Sequence, residues 1–149
     1  DQLVGGGIRI GKIQVSAGLR LGFEGRCAAV RASLAPFAED TYLHQVVEQR
    51  GASLARYVDL PQALEACSDQ GPRGWRVHFH LPVYLDKAPG LDTTQEQLES
   101  LLALARRDRF CDYLEVETYT WSVLAPELRA ADLPAAIARE LAWVRERLQ

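Results

Sequence analysis

Two stretches of the chain decide its predicted fold: Arg76-Val77-His78-Phe79-His80-Leu81-Pro82 and Tyr113-Leu114-Glu115-Val116-Glu117-Thr118-Tyr119. In both stretches ionisable side chains alternate with apolar ones, which is the period of a β-strand whose two faces have different surroundings. If helices cover the outer face of such a sheet, the charged face must point into an enclosed interior. The mouth of a (β/α) barrel is an interior of this kind.

The composition is that of an ordinary globular protein and excludes several classes of partner. The chain has 149 residues, of which 48% are hydrophobic and 25% are charged, and its net charge is −3. Because its basic residues form no stripe, we expect no nucleic-acid partner. Because it contains no signal core and no apolar run of membrane-spanning length, we expect no membrane insertion and a cytoplasmic location.

The cysteines and the absence of methionine bear on the state of the chain. Cys27, Cys67 and Cys111 are odd in number and widely spaced, so the sequence predicts buried, reduced thiols. The sequence contains no methionine, even at position 1, which indicates a processed or truncated chain. We therefore expect residues 1–149 to be the C-terminal portion of one domain whose N-terminal strands are absent.

A strand-then-helix order runs through the chain and predicts parallel βαβ units. Strands are predicted at 8–16, 75–84 and 112–121. Helices are predicted to begin near Arg26, Thr94 and Asp132.

Two shorter features lie between the first and second units. Strand-like segments at 41–48 and 53–59 flank Arg50-Gly51 and predict an inserted β-hairpin. A short helix capped by Asp59 is expected to follow the hairpin. The glycine-containing segment 18–25 is predicted to be a loop.

The polar faces of the three predicted strands define a candidate site. Ser16, His80 and Glu117 lie nearest the carboxyl ends of their strands, where barrel enzymes bind substrates. An imidazole and a carboxylate that converge there can bind Mn²⁺, Mg²⁺ or Zn²⁺, or can act as an acid/base pair on a sugar-like substrate.

Residues one layer deeper admit a second interpretation. Gln14 is expected to face the same interior and contact the substrate. Lys12 and Glu115 can instead form an internal ion pair, and His78 can be a hydrogen-bonded core residue.

Three further residues are candidates for substrate contact. His44 lies in the predicted hairpin, where binding groups often collect, although a plain surface histidine is the alternative. Tyr119 and Trp121 follow Glu117 and can form an aromatic wall for a sugar-like or cyclic ligand, or can pack over the barrel mouth.

The amino-acid sequence of several segments resembles that of a known family. His78-Phe79-His80-Leu81, followed by Leu114-Glu115-Val116-Glu117, resembles the last strands of the xylose-isomerase-like TIM barrels, the sugar phosphate isomerase/epimerase superfamily. Other segments resemble the EboE type of metabolite-traffic protein within that superfamily. These segments are Lys12-Ile13-Gln14-Val15-Ser16-Ala17, Tyr42-Leu43-His44-Gln45-Val46, Val77-His78-Phe79-His80-Leu81-Pro82 and Val116-Glu117-Thr118-Tyr119-Thr120-Trp121.

The resemblance implies a fold and a set of roles. The fold class it implies is α/β, with the C-terminal three βα units of a (β/α)8 TIM barrel and a small β-hairpin inserted after the first unit. His80 and Glu117 would be both the metal ligands and the catalytic pair. The sixth strand of metal-dependent members usually carries an acidic ligand, whereas this chain has Gln14 and Ser16 there.

Two functions from different classes follow from these expectations. The first is a divalent-metal-dependent isomerase- or epimerase-type enzyme in secondary-metabolite precursor synthesis or traffic. The second is a non-catalytic barrel that binds a pathway intermediate and hands it on. Both predict a small-molecule ligand, and other proteins of the same gene cluster are possible partners.

Overall fold

The computed structural model describes residues 2–117, 119–129 and 132–149, with only the backbone described at Val4, Tyr119 and Glu127. Its strands are β1 (Ile13–Val15), β2 (Ala17–Glu24), β3 (Val46–Arg50), β4 (Ser53–Tyr57), β5 (Pro72–Leu81), β6 (Lys87–Ala88), β7 (Leu91–Thr93) and β8 (Leu114–Val116). Its α-helices are α1 (Gln2–Gly5), α2 (Cys27–Leu34), α3 (Leu60–Ala66), α4 (Gln95–Asp108) and α5 (Leu133–Leu148). Short 3₁₀ segments lie at Ala35–Phe37, Tyr119–Ser122 and Pro126–Leu128.

The described strands form two sheets of different kinds. A six-stranded antiparallel sheet has the order β4-β3-β5-β2-β7-β6, and a two-stranded parallel sheet joins β1 to β8. Only Ser16 separates β1 from β2, so one extended segment takes part in both sheets.

The predicted fold class, three βα units of a TIM barrel, is wrong. The central strand β5 runs antiparallel to both β2 and β3, whereas a barrel of βα units requires parallel neighbours. The error began at segment 18–25, which was expected to be a loop and instead forms most of β2. Its apolar side chains at alternate positions, Leu19, Leu21 and Phe23, carry the strand pattern, and the positions between them, Arg20 and Gly22, belong to the other face.

Several local predictions are confirmed. The hairpin around Arg50-Gly51 forms, with Arg50 paired to Ser53. Asp59 caps α3 by accepting a hydrogen bond from the Leu60 amide, and Asp132 caps α5 by accepting one from Ala135. These elements formed as expected because their start signals are local in sequence.

The core has two parts, one on each sheet. The larger part packs α2 and α3 against one face of the six-stranded sheet through residues such as Val30, Leu34, Leu60, Trp75 and Phe79. The smaller part packs α4 and α5 against the two-stranded sheet through residues such as Val15, Leu98, Leu102, Trp143 and Val144. The opposite face of the six-stranded sheet exposes Arg76 and His78, so the chemistry-bearing side chains of β5 lie on its open face.

The cysteine prediction is wrong for two of the three residues. Cys27, at the start of α2, and Cys67, just after α3, form a disulfide with their Cα atoms 5.9 Å apart. The two helices pack side by side on the same sheet, and this proximity could not be read from a spacing of 40 residues. Cys111 is free and partly buried. Among the described residues no helix has the length and apolarity of a membrane-spanning segment.

Candidate functional site

His80 and Glu117 meet where the extended segment passes from one sheet to the other. Glu117, which directly follows β8, donates its amide to the Val15 carbonyl at 3.3 Å. Two residues farther along, Ala17 of β2 is in register with Leu81 of β5. The end of β5 and the end of β8 therefore flank the same short stretch of backbone around Ser16.

Thr120 stabilises this junction between the two sheets. Its hydroxyl donates a hydrogen bond of 2.5 Å to the carbonyl oxygen of His80, and the Thr120 side chain is buried. The 3₁₀ segment Tyr119–Ser122 is thereby held over the end of β5. His80 is covered as a result and is only 4% exposed, although it belongs to the open face of the sheet.

The side chains at the junction form a short chain of polar contacts. The Nδ1 atom of His80 lies 3.6 Å from Oε2 of Glu117. The Nε2 atoms of His78 and His80 are 2.7 Å apart. On the far side of His78, its Nδ1 atom lies 2.7 Å from Oε1 of Gln45. The chain therefore runs from the exposed His78 ring to the partly buried carboxylate of Glu117.

The His80 imidazole is neutral at physiological pH. Burial lowers the pKa of His80, and the charge that His78 carries when it is protonated lowers it further, to about 4. A hydrogen bond from the His80 ring to the backbone carbonyl of Glu117 opposes this shift without cancelling it. A neutral ring offers a nitrogen lone pair for binding a proton or a metal ion.

His44 lies next to the junction, but its ring contacts are already made within the chain. Its Nε2 atom is 2.6 Å from Oε1 of Glu39, and its Nδ1 atom is 3.3 Å from the carbonyl oxygen of His78. The His44 side chain is fully buried, and the ring packs against Phe79 with 4.7 Å between centroids. Its predicted contact with a substrate stays a prediction, and within this chain it supports β5 from the core side.

The polar residues of the two-stranded sheet lie apart from the histidines. Gln14 is exposed and in register with Glu115, and Ser16 is partly buried at the sheet junction. Lys12 and Glu115 form the predicted ion pair at 2.7 Å, but their side chains are 47% and 57% exposed. The expectation of an internal pair is wrong because this sheet has two strands and its polar face meets solvent.

The two predicted aromatic contacts have different outcomes. The side chain of Tyr119 lies outside the part of the chain that the structure describes. Trp121 is partly buried, and the Arg129 guanidinium lies 5.7 Å from its ring centroid. Its buried indole N–H has no hydrogen-bond partner among residues 2–117, 119–129 and 132–149. It is therefore a donor that an oxygen-bearing ligand could use.

Sequence reasoning missed Gln45, Glu39 and Thr120. Gln45 and Thr120 stand in the segments that resemble the EboE type, directly after His44 and three residues after Glu117. Their partners, however, are set by the register of β3 on β5 and by the 3₁₀ segment. Glu39 had no signal at all, because its contact with His44 depends on the path of a loop.

The predicted metal ligands His80 and Glu117 are neighbours, but the carboxylate faces Nδ1 of the ring. Within the described ranges no group of three or more His, Cys, Asp or Glu side chains is arranged to hold a metal ion. Two imidazole nitrogens do converge, at His78 and His80. Nitrogen pairs of this kind suit first-row transition metals better than Mg²⁺.

Comparison of the chain with protein-family models, with curated proteins and with solved structures gave no match.

Proposed function

We propose that this chain carries the proton-transfer site of an isomerase- or epimerase-type enzyme that acts on a small sugar-like or cyclic metabolite. The observation that carries the proposal is the meeting of a buried neutral imidazole, His80, with the carboxylate of Glu117, 3.6 Å away, at the junction of two sheets. A buried titratable group with a shifted pKa beside a specific charged partner is a candidate functional site.

Glu117 is the base in this proposal. Its side chain is 27% exposed, so a ligand can reach the carboxylate from solvent. The His80 ring is less suited to that role, because it hydrogen-bonds to the Glu117 backbone and its Nε2 atom faces His78. A carboxylate and an imidazole are both side chains that serve as general acids or bases in enzymes.

The reaction that fits these groups is removal of a proton from a carbon next to a carbonyl group. The C–H bond breaks, its proton goes to a Glu117 oxygen, and its electron pair forms an enediolate. In this proposal an N–H of the imidazole pair His78 and His80 stabilises the oxygen on which negative charge develops. Return of the proton to the former carbonyl carbon, together with transfer of the neighbouring hydroxyl proton to the enediolate oxygen, isomerises the substrate. Return of the proton to the opposite face of the original carbon epimerises it.

The substrate class is proposed from the polar character of the site and from the resemblance. The indole N–H of Trp121 is a donor for a substrate oxygen. The resemblance to EboE-type proteins favours a secondary-metabolite precursor, a cytoplasmic location and partners encoded in the same gene cluster.

The test is hydrogen exchange in deuterated water. The chain is incubated with a panel of aldoses, ketoses and their phosphates, and deuterium uptake at the carbon next to the carbonyl is followed by NMR. We expect uptake into at least one compound, and a loss of about 100-fold or more in Glu117→Gln. Glu115→Gln is the matched control, because it makes the same change two residues earlier, on β8, within an exposed ion pair.

Two results would overturn the proposal. One is the absence of exchange in every compound of the panel, and the other is exchange at the wild-type rate in Glu117→Gln. Saturation-transfer NMR shows whether a compound of the panel binds. If a compound binds but takes up no deuterium, the chain is a non-catalytic protein that binds a pathway intermediate.

A further inference from the structure

The open face of the six-stranded sheet carries two arginines that stand directly opposite each other. Arg20 of β2 is in register with Arg76 of β5, and both side chains are at least partly exposed on this face. We propose that the two guanidinium groups bind a tetrahedral oxyanion, which is free phosphate or the phosphate group of a small metabolite. This is a second site, and it does not rest on the proposed function.

The arginine pair is short of negative charge. Like charges directly opposite each other on adjacent strands destabilise a sheet. The Arg20 guanidinium lies 4.0 Å from an oxygen of Asp92 and 3.7 Å from an oxygen of Glu96, and both distances are longer than a hydrogen bond. Arg76 makes no hydrogen bond or ion pair with any residue that the structure describes. The N–H donors of both guanidinium groups are therefore open to a ligand.

Two glycines lie beside the arginines on the same face, and the fold requires neither of them. Gly22 of β2 is in register with Gly74 of β5, two positions along each strand from the arginine pair. Neither glycine has a positive φ. A Cβ on Gly22 would meet nothing within 4 Å, and one on Gly74 would meet the Leu21 carbonyl oxygen at 3.8 Å, an ordinary contact. Glycine weakens a strand interior and often marks a place where a ligand approaches the backbone, so this pair indicates a ligand here.

The absence of side chains at the two glycines leaves a trough in the open face. The trough has a volume of about 280 Å³, and its lining includes Arg20, Arg76, Gly22, Gly74 and Asp92. This volume lies at the small end of ligand sites and suits one small anion or the terminal group of a metabolite. The Asp92 carboxylate does not exclude an anion, because both residues in register with it, Arg20 and Lys87, are basic.

The number of donors favours a phosphate over a carboxylate. A guanidinium group presents its N–H donors in a planar fork that engages two oxygens, so one arginine is enough for a carboxylate. Two arginines side by side can engage three or four oxygens of one tetrahedral ion. At neutral pH a phosphate group also carries close to two negative charges, which offset the repulsion between the two guanidinium groups.

The trough lies apart from the junction of the two sheets. Gly74 precedes His78 by four residues on β5. At about 3.3 Å per residue, this spacing corresponds to roughly 13 Å along the strand. Binding in the trough is therefore measured independently of any reaction at Glu117.

The experiment is an NMR titration of the isotope-labelled full chain with sodium phosphate at constant ionic strength. We expect saturable shifts of the two arginine Nε–H signals and of the two glycine amides. Arg76→Gln should lower the affinity at least about tenfold, because it removes charge-assisted hydrogen bonds. Arg56→Gln is the matched control, because Arg56 is exposed on the same face but lies opposite Val47, outside the trough. It should change the affinity by less than about twofold.

A second variant fills the trough without removing a charge. Gly22→Val places a β-branched side chain where a Cβ meets nothing within 4 Å. We expect this variant to unfold at the same urea concentration as the wild type or a higher one, because valine suits a strand better than glycine. Its phosphate affinity should fall at least about tenfold, because the side chain occupies the place of the ion. Urea unfolding of Arg76→Gln and Gly22→Val separates lost binding from lost folding.

A parallel titration with glycerol 3-phosphate distinguishes the two sources of the phosphate group. Tighter binding of the ester than of inorganic phosphate identifies a phosphorylated metabolite as the ligand. Equal or weaker binding of the ester identifies free phosphate.

Three results would overturn the inference. The first is the absence of saturable shifts with either compound, and the second is a set of shifts centred on the histidines at the junction. The third is an affinity that the trough variants do not lower, or that Arg56→Gln lowers as much as Arg76→Gln does.

Discussion

The chain's three histidines differ in what their ring nitrogens contact. His44 is buried and makes both of its ring contacts within the chain. His80 is nearly buried and faces both a carboxylate and a second imidazole. His78 faces solvent. Since the same residue type serves in the core, at the junction and at the surface, the partners of each ring decide its role.

The first prediction concerns His44. His44→Leu removes the 2.6 Å contact between the buried ring and the Glu39 carboxylate, which keeps its hydrogen bonds from the amides of Thr41 and Tyr42. We expect the free energy of unfolding to fall by about 2 kcal/mol. Urea denaturation measures this change. A folded variant of unchanged stability that no longer binds a ligand would mean that His44 is a ligand contact instead.

Sequence reasoning at this scale selected His80 and Glu117 but missed the residues that connect them. Strand periodicity predicts which side chains share a face, and this was enough to choose both. Strand periodicity carries no information on Gln45 and Thr120. Gln45 contacts β5 because β3 pairs with β5, and Thr120 contacts β5 because the segment after β8 folds back over it. Contacts that depend on register cannot be read from local pattern.

At the scale of elements, β2 is the segment on which the fold depends. It pairs with β5 on one side and with β7 on the other, and it continues from β1. Near its start, the Gly18 amide donates to the Thr94 hydroxyl at 2.8 Å, which fixes the beginning of α4 to the sheet. Helices and the β3–β4 hairpin were predictable because their signals are local. The strand β2 was not predictable, because two glycines interrupt its alternation of polar and apolar side chains and its partner strands are distant in sequence.

The second prediction tests the packing of β2. A Cβ atom on Gly18 would lie 2.9 Å from the carbonyl oxygen of Val77, which is backbone and cannot move aside freely. We expect Gly18→Ala to destabilise the protein by about 2 kcal/mol. Gly22→Ala is the matched control on the same strand, since a Cβ there meets nothing within 4 Å. Equal melting temperatures for the two variants would contradict the described approach of β2 to β5.

The third prediction concerns the link between α2 and α3. The Cys27–Cys67 disulfide closes a loop with a sequence separation of 40, and loop closure of this size stabilises a protein by up to about 4 kcal/mol. We therefore expect the double variant Cys27→Ser, Cys67→Ser to unfold at clearly lower urea concentration than the wild type. Cys111→Ser is the control, because that thiol is free. If dithiothreitol does not shift the wild-type transition, the two sulfurs are not bonded in solution.

At the scale of the whole molecule, two small cores are joined by one strand segment, and buried charge is concentrated near each. Glu48 is fully buried and accepts a hydrogen bond from the Trp75 indole at 2.6 Å, with Arg50 and Arg73 beside it. Burial alone would raise the pKa of Glu48, but these partners together lower it. The barrel expected from the sequence was wrong at this scale because strand direction follows from long-range pairing, which alternation does not encode.

The fourth prediction is the acid dependence of stability. The pKa of His80 falls from 6.5 to about 4 on folding, so between these values the unfolded chain binds the proton and the folded chain does not. Stability must therefore fall as the pH drops through this window, by up to about 3 kcal/mol from His80. Below it, protonation of Glu48, whose folded-state pKa is lowered, removes further stability.

Urea titrations at several pH values in the presence of chelator measure this dependence. His80→Gln should flatten the limb between pH 6.5 and about 4 while leaving the steeper loss at lower pH in place. A wild-type stability that is constant from neutral pH to the lower end of this window would contradict the buried, neutral imidazole.

The central claim is that His78, His80 and Glu117 converge at the junction of the two sheets. The most direct measurement is a set of nuclear Overhauser contacts in isotope-labelled protein, between the His80 ring protons and both the His78 ring and the Glu117 side chain. The account predicts both contacts, together with the antiparallel contacts between β2 and β5. Intact contacts between β2 and β5, with none between His80 and Glu117, would contradict the site and the function proposed from it.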